Sequence, residues 1–564
     1  MSYDQRTMPP SDDPNSDKLS QQDRPVESNI KSIRAIEQQI REHDSEAAII
    51  QLKRARNSLL NVSKLPPEIL GEIFRLNCTL ERDFGPLEER SHNFLLVCHH
   101  WFEVASRTPE VWSFWGSDLE DWTRRHRLHP TAPLDLVFDG DPDDGLGDSL
   151  LNALQDRAAR DTIRRVHLST SSGFLGSILS LLASCDGIRT SSVESVFLWA
   201  GEDPLDVSDF LACYRFPKLR RLELRNLTIS SWDPITSNIS VLTALTLDNS
   251  FAPPTITLPQ ILSILRSNPS LQEVTLAGSS IPDDDDGTSF RVSLAHLRKL
   301  DLDGRPRGVF TLLHQLDYPR SMDNLIVRLS DITAGDIPKI IGPSVRDYVQ
   351  RRRSPGSGLG LELDLCYYGN LSVVVGDPGR ADFPPSAARE WMDKHLTIKI
   401  FPLGQGAPVR GVIFDLIAYL PREEITHVRI HDELIFAAAL SAQLPYLRAI
   451  HYMDTCSHYV FRDLDQEEMF PHLQHLRITA SWQFRTDGSN WGPFTAFLDH
   501  LESFGHRLDK LELDGRYHID PSVEEKIRGM VGELTMTMTP ADERSSVSVF
   551  DKSVILVFQT SHQL

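Results

Sequence analysis

The chain has 564 residues, of which 40% are hydrophobic and 24% charged, and its formal net charge is −21. Because this length exceeds what one ordinary hydrophobic core holds, we expect several domains or an extended repeat array. The acidic balance argues against a protein that binds nucleic acid through its phosphates, since that role needs many Lys and Arg residues.

The cysteines and the apolar runs indicate an intracellular protein. The six cysteines form no Cys-x-x-Cys pair, and a secreted chain usually shows a denser disulfide framework. The most apolar run, near residues 174–183, is about ten residues long and too short to cross a bilayer. The N-terminal segment lacks the apolar stretch of a signal peptide. We therefore predict a cytoplasmic or nuclear location and no membrane role.

The N-terminal region divides into a polar tail and a helix. Residues 1–27 hold too few apolar side chains to offset the entropy of ordering, so they are predicted to be disordered. Residues 28–61 contain no Pro or Gly, and they predict an amphipathic helix. Its clearest apolar positions are Ile30, Ile33, Ile36 and Ile40. The apolar seam breaks at residues 43–44, which leaves two interpretations open: a coiled-coil dimer, or a helix that packs on the next module.

Residues 62–116 contain three motifs of a small helical module. LPPEILGEIF, at residues 65–74, opens with two prolines that suit the first turn of a helix, and its apolar residues share one face. LLVCHHWFEVA follows at residues 95–105 and TPEVW at residues 108–112. In this order the motifs resemble the F-box, especially the F-box-like proteins of mushroom-forming basidiomycete fungi. The departure from the compact motif is a longer polar segment at residues 77–93.

The resemblance implies that the module docks on the Skp-type adaptor of an SCF (Skp–cullin–F-box) ubiquitin ligase. Docking of a helix in a groove uses a few apolar anchors in register. The candidate adaptor-binding residues are Leu65, Pro66, Ile69, Leu70 and Val97. The residues expected to form the core of the module itself are Ile73, Phe74, Cys98, Trp101 and Trp112.

After a connector at residues 117–160, a short pattern of the form apolar-x-x-apolar-x-apolar recurs. It occurs seven times in residues 161–334, and the middle residues of successive copies lie 23 to 30 residues apart. It returns in residues 412–564 as ITHVRI, LRAIHY, LQHLRI and LDKLEL. A unit of this length and core is typical of leucine-rich repeats, each a strand followed by a helix or turn. An α/β domain with ordinary strand–helix alternation is the other interpretation.

The predicted array is irregular. The position that carries Asn in a regular repeat is Leu227, Ser250, Ser279 or Arg305 here, while Asn226 and Asn249 stand one position early. Residues 335–411 are predicted to hold an insertion and a degenerate repeat at LELDL, residues 361–365. Two alternating apolar runs beyond Gly515, SVSVF and SVILVFQ, predict strands that close the end of the array. The fold class is therefore predicted to be α/β, a helical module followed by an irregular solenoid.

Polar positions within the predicted strands would face the open concave surface of such an array. A substrate protein bound there would contact candidate residues Glu223, Thr246, Thr275 and Asp301.

The sequence predicts no catalytic residue, no metal ligand and no cofactor. The acidic run at residues 139–144 lacks the Gly and Glu that an EF-hand loop requires. Cys456 and His458 lie near His451, but such proximity arises by chance among 20 His and 6 Cys residues. The Cys/His framework of a RING zinc module is also absent from the sequence.

These features predict a non-enzymatic substrate receptor of an SCF-type ubiquitin ligase, with an unidentified protein substrate. The alternative is a leucine-rich-repeat scaffold with a vestigial F-box and no ubiquitin-ligase role. A hydrolase or other enzyme would instead need a deep pocket with convergent polar groups.

Overall fold

A computed structural model of the protein divides into two compact units. The first unit comprises residues 1–184 and 191–195, and the second comprises residues 185–190 and 196–564. The division falls inside the predicted 161–334 array. The structure describes residues 24–42, 46–60, 64–80, 98–112, 114–115, 129, 132–140, 146–156, 160–183, 189–190, 192–201, 203–249, 256–278, 280–283, 291–319, 322–332, 336–352, 359–366, 370–377, 393–401, 409–431, 437–453, 470–479, 491–503, 505–515 and 520–538.

The first unit combines helices with three parallel strands. Its helices are α1 Arg24–Glu42, α2 Glu46–Ser58, α3 Pro67–Leu80, α4 His99–Ser106, α5 Leu146–Gln155 and α6 Ser172–Ala183, with a 3₁₀ turn at Pro109–Trp112. Its strands are β1 Phe114–Trp115, β2 Leu134–Asp139 and β3 Ile163–Thr170, in which β2 pairs in parallel with both neighbours.

Helices and strands alternate in the second unit, so the predicted α/β class is confirmed. The helices are α7 Ser208–Cys213, α8 Asp233–Asn238, α9 Leu258–Ser267, α10 Pro306–Gln315, α11 Gly342–Arg352, α12 Val409–Ile417, α13 Ala437–Gln443, α14 Trp491–Ser503 and α15 Pro521–Met530, with a π-helix at Ile337–Ile341 and a 3₁₀ turn at Arg422–Glu424. The strands are β4 Arg189–Thr190, β5 Ser195–Ala200, β6 Leu205–Asp206, β7 Tyr214–Arg215, β8 Arg221–Arg225, β9 Leu227–Thr228, β10 Ala244–Asn249, β11 Glu273–Gly278, β12 Val292–Ser293, β13 Lys299–Gly304, β14 Leu316–Asp317, β15 Asn324–Ser330, β16 Leu359–Cys366, β17 Asn370–Asp377, β18 Asp393–Phe401, β19 Ile425–His431, β20 Ala449–Met453, β21 His475–Thr479, β22 Leu508–Gly515 and β23 Val531–Met538.

The recurring apolar pattern sets the register of the parallel strands. From β8 to β15, each strand pairs in parallel with the next strand of the pattern, and the middle residues lie directly opposite one another. These opposed residues are Leu222, Leu245, Val274, Leu300 and Leu325. Every apolar position of the eleven copies is at most 6% exposed. The predicted strands are therefore confirmed, and the paired strands from β8 to β15 bury one apolar face.

Residues 359–401 insert three strands out of sequence order. The spatial order is β15, β18, β17, β16, β19. β18 is parallel to β15 and β16 is parallel to β19, whereas β17 is antiparallel to both of its neighbours. The strand predicted at residues 361–365 lies within β16. Because β17 reverses the chain, the insertion adds a hairpin to the sheet and still leaves β19 in the common strand direction.

Two predictions about the N-terminal half are wrong in their bounds. The helix predicted at residues 28–61 is two helices, and α1 begins at Arg24, inside the predicted disordered tail. Pro25 lies in the first turn of α1, where a missing N–H costs nothing. The predicted connector at residues 117–160 contains β2 and α5. The repeat pattern missed β2 because Pro133 occupies its first apolar position, although Leu136 lies opposite Val166 as the other copies do.

Two asparagine side chains each form a hydrogen bond to the backbone of an adjacent copy of the pattern. Asn226 has a left-handed backbone, φ 51°, and its amide donates to the carbonyl oxygen of Ala200 at 3.1 Å. Asn268 is fully buried, and its side chain accepts from the backbone N–H of Leu242 at 3.1 Å. These bonds span 26 residues each, so they link successive copies of the pattern.

Some predictions fall on parts of the chain outside the described residues. These are the tail at residues 1–23, most of the 77–93 segment, the Cys456–His458 group and the two apolar runs beyond residue 538.

Gly308 offers a test of the packing behind the sheet. It lies in α10, where a Cβ would overlap the carbonyl oxygen of Pro282. We expect Gly308→Ala to lower the free energy of unfolding by about 1 to 3 kcal/mol, because backbone atoms cannot move away cheaply. The matched control is Gly492→Ala in α14, where a Cβ would meet nothing within 4 Å. The control should be neutral or stabilise by up to about 1 kcal/mol. Urea denaturation curves of both variants measure the difference, and equal midpoints would contradict the steric argument.

Candidate functional site

The helical module at residues 65–112 has a core of its own. Leu70, Phe74, Val104, Ala105, Val111 and Trp112 form one buried cluster, and Trp101 packs against it half-buried. The rings of Trp101 and Phe74 meet edge to face at 5.2 Å. Trp112 is 2% exposed, and its indole N–H donates to the carbonyl oxygen of Ala105 at 2.8 Å. The 3₁₀ turn that carries Trp112 is thereby fixed to α4.

Two residues of α3 differ in burial from what the sequence predicted for them. Leu70 was expected to anchor the adaptor, but it is fully buried in the module core. Ile73 was expected in that core, but it is 43% exposed. The cause is which side of α3 is covered: α4 and the 3₁₀ turn pack over Leu70 and Phe74, and Ile73 lies at the edge that they leave open. Cys98 is half-buried, and Val97 lies outside the described residues.

The outward face of α3 carries an apolar stripe. Ile69, Ile73 and Leu76 are 51%, 43% and 42% exposed, and their spacing of four and three residues places them on one face. We call these three residues the α3 stripe. Leu65 precedes it half-buried and Pro66 is exposed. A contiguous row of exposed aliphatic side chains is a candidate surface for contact with another protein.

A surface ion pair flanks the α3 stripe. Arg75 Nε donates to Glu72 Oε2 at 2.7 Å. That hydrogen bond and the charge of Arg75 hold the pKa of Glu72 below its ordinary value, although burial opposes the shift slightly. Both side chains are about half exposed, so the pair borders the stripe with charge without covering it.

The predicted substrate-binding residues of the second unit form one row across the sheet. Glu223, Thr246, Thr275 and Asp301 lie directly opposite one another on β8, β10, β11 and β13. The first three are half-buried. Because side chains alternate between the two faces of a strand, the four side chains lie on the same face of the sheet. Their role in binding stays a prediction.

Asp301 is less accessible than a contact residue should be. It is 5% exposed, and Arg328 donates to both of its carboxylate oxygens, at 2.6 and 3.0 Å. Burial raises the pKa of the nearby Asp303, and the negative charges of Asp301 and Asp248 add to this effect while Arg328 opposes it. Asp301 therefore holds the sheet face together, and a partner would reach its neighbours in the row more easily.

The same row continues through charged residues that sequence reasoning missed. Arg429, His451, Arg477 and Glu512 lie opposite one another on β19, β20, β21 and β22. Arg429, His451 and Arg477 are each at most 4% exposed. The signal was present in the sequence, because each residue fills the same slot of the repeated pattern as Glu223.

An ion-pair network joins β21 and β22 in this row. Arg477 Nε donates to Asp514 Oδ2 at 2.8 Å and lies 3.5 Å from Glu512 Oε2. Lys510 Nζ is 2.5 Å from the other oxygen of Glu512. Burial disfavours the ionised carboxyl, but hydrogen bonds from His475 and Lys510 and their charges outweigh it and lower the pKa of Glu512 to about 2. The network holds charged side chains in fixed positions on this face of β21 and β22.

One small cleft in the second unit contains a Ser–His pair. His314 Nε2 lies 3.2 Å from Ser344 Oγ, between α10 and α11. Ser344 Oγ also donates to the carbonyl oxygen of Ile340 at 2.9 Å. Ser344 Oγ is thus held by the backbone of the preceding turn as well as by His314. The pair is a helix-packing contact.

Neither a metal site nor a membrane span occurs in the part of the chain that the structure describes. Groups of three or more His, Cys, Asp or Glu side chains in ligating arrangement are absent there. None of the described helices combines the length and the apolar character needed to cross a bilayer.

No protein-family profile matches this chain, and neither does any curated protein.

The Glu512 network predicts a pH dependence of stability. A carboxyl whose pKa falls from 4.5 to about 2 on folding stabilises the protein above pH 4.5, and that contribution is lost as the pH falls toward 2. We expect Glu512→Gln to reduce the free energy of unfolding at pH 7 by a few kcal/mol and by much less near pH 2 to 3.

Urea denaturation from pH 3 to pH 7 measures this difference between the wild type and the variant. Glu525→Gln, an exposed residue of α15, is the control and should leave the curve unchanged. An equal loss for Glu512→Gln at both ends of the pH range would contradict the assigned pKa.

Proposed function

We propose that this protein is a substrate receptor that docks on the Skp-type adaptor of an SCF ubiquitin ligase through its N-terminal helical module. The observation that carries the proposal is the α3 stripe, which leaves three aliphatic side chains more than two-fifths exposed beside a packed core. The resemblance of residues 65–112 to the F-box supplies the identity of the partner.

The stripe has the form that docking in a groove requires. Apolar anchors spaced at i, i+4 and i+7 enter a groove together when a helix lies along it. Leu65 and Pro66 extend the same surface toward the start of α3, as the resemblance implies for adaptor contact. The anchors we propose are therefore Leu65, Pro66, Ile69 and Ile73, with Leu76 added and Leu70 assigned to the core.

The module core supports this role because it holds α3 rigid. Leu70 and Phe74 are buried against Val104 and Trp112, so the inner face of α3 is fully used. A helix fixed on one side presents its other side without a large cost in ordering entropy on binding. Rigid anchors of this kind favour a stable adaptor complex.

The second unit supplies the proposed substrate surface, as an irregular leucine-rich-repeat solenoid. Its parallel strands carry Glu223, Thr246 and Thr275 in one half-buried row. Solenoids of this class use such a strand face to hold a protein partner. A tethered receptor of this form would bring its bound substrate to a separate RING subunit.

The competing function is a leucine-rich-repeat scaffold whose F-box no longer binds an adaptor. Both functions use the strand face, and only the receptor requires the α3 stripe to bind. Adaptor binding therefore separates them.

The decisive measurement is the affinity of the full-length protein for a purified Skp-type adaptor. We expect Ile69→Asp and Ile73→Asp each to weaken binding at least tenfold, because a charge placed in an apolar groove is desolvated without a partner. Both positions are exposed, so neither variant should lose stability. The matched control is Val241→Asp, at an aliphatic residue of the second unit that is 38% exposed.

Leu70→Ala tests the corrected assignment. It should destabilise the module by about 2 to 5 kcal/mol, because it empties a buried site. Circular dichroism and thermal unfolding distinguish this from a loss of binding alone. Wild-type protein that never captures the adaptor in a clean reconstitution would overturn the receptor and favour the scaffold.

A further inference from the structure

The two N-terminal helices form a hairpin whose apolar side chains stay incompletely covered. Residues 43–45 alone separate α1 from α2, and the two helices pack against each other, so they run antiparallel. Among the residues of both helices whose side chains the structure describes, only Asn57 is more than nine-tenths buried. The described side chains of the hairpin therefore form no buried apolar core of their own.

The uncovered side chains form a seam along the hairpin. Ile33, Ile36 and Ile40 of α1 and Leu52 of α2 are half-buried, while Ile30 and Ile50 are each 43% exposed. Two short helices in isolation are marginal in water, because most helical stability comes from burying an apolar face. Among the described elements, each helix makes its main contact with the other. The seam is thus complete only when another surface covers it.

The charges of the hairpin indicate what that surface is. Residues 37–46, around the turn, contain four acidic residues, Glu37, Glu42, Asp44 and Glu46, against Arg41. The half away from the turn is basic and contains Arg24, Lys31, Arg34, Lys53, Arg54 and Arg56 against Glu27. Because the helices are antiparallel, Arg34 and Arg54 lie at the same level of the hairpin. By sequence, the segment around the turn is therefore acidic and the half away from it is basic.

We infer that the hairpin is a dimerisation element and that its partner is the hairpin of a second copy of this chain. A two-fold axis across the seam sets the acidic turn of each hairpin against the basic half of the other, so one contact satisfies both ends. The four helices then form an antiparallel bundle in which the isoleucine seam is the core. This inference is independent of adaptor docking, which uses the α3 stripe.

The first test is the mass of the full-length protein in solution. The chain has a mass of 63.8 kDa, and sedimentation equilibrium should give twice that value at micromolar concentration. Ile33→Lys combined with Ile40→Lys should shift the protein to the monomer mass, because both side chains lie in the seam. The control combines Gln39→Lys with Gln51→Lys, which adds the same charges at exposed positions and should leave the dimer intact.

The second test does not depend on the folding of the seam variants. Glu37→Lys and Arg54→Glu should each weaken the dimer by about tenfold at low salt, since each replaces two attractions by repulsions. An equimolar mixture of the two variants should recover the wild-type dissociation constant, because each acidic side chain again faces a basic one. Raising the salt concentration well above about 0.15 M should reduce all of these differences.

A protein that is monomeric at every concentration would overturn the inference. So would a dimer that the Ile33 and Ile40 substitutions leave unchanged. The antiparallel arrangement would be overturned if the seam substitutions abolish the dimer but the mixture of the two charge variants does not recover the wild-type dissociation constant.

Discussion

The register of the parallel strands is the constraint on which the second unit depends. Each copy of the apolar pattern places one middle residue opposite that of its neighbour, from Leu222 to Leu325 and again from Val428 to Leu511. A slip of one residue would turn every apolar side chain of a strand to the other face. Because the register is fixed, the slot between the last two apolar residues always lies on the opposite face of the sheet. This is why residues as far apart in sequence as Glu223 and Glu512 belong to one row.

The inserted strands show how far this constraint extends. β18 takes the place beside β15 that the next copy of the pattern would occupy, and Leu396 lies opposite Leu325 there. Across β17, the same row of opposed residues reaches Leu361 and then Val428. The out-of-order hairpin is accommodated because it preserves the apolar row and restores the strand direction before β19. An insertion that shifted the row by one residue would have exposed the apolar face instead.

The strands of the repeated pattern could be predicted from the sequence. The burial of individual residues on α3 could not, because it depends on which side of that helix the neighbouring elements cover. The strands, their buried positions and the row containing Glu223 and Thr246 all follow from period-two alternation within an even spacing. The start of α1 and the presence of β2 were not predicted, because Pro25 lies in the first turn of α1 and Pro133 replaces the first apolar residue of the pattern at β2. Leu70 and Ile73 could not be assigned from the pattern alone. Both are apolar residues on α3, and their roles depend on whether α4 and the 3₁₀ turn cover one side of that helix or the other.

The same distinction explains why the proposed function rests on exposed apolar residues. A leucine of the strand pattern is buried within the unit itself, so its apolar character does not indicate a partner. Ile69, Ile73 and Leu76 are different, because the core beside them is already complete without them. The isoleucine seam of the α1–α2 hairpin is a third case, in which no core is complete and the partner would supply half of it. The first unit thus presents two apolar surfaces with different physical demands: a helix face on a finished core, which the proposal places in a ready-made groove, and a seam that, in the proposed dimer, is buried only on association.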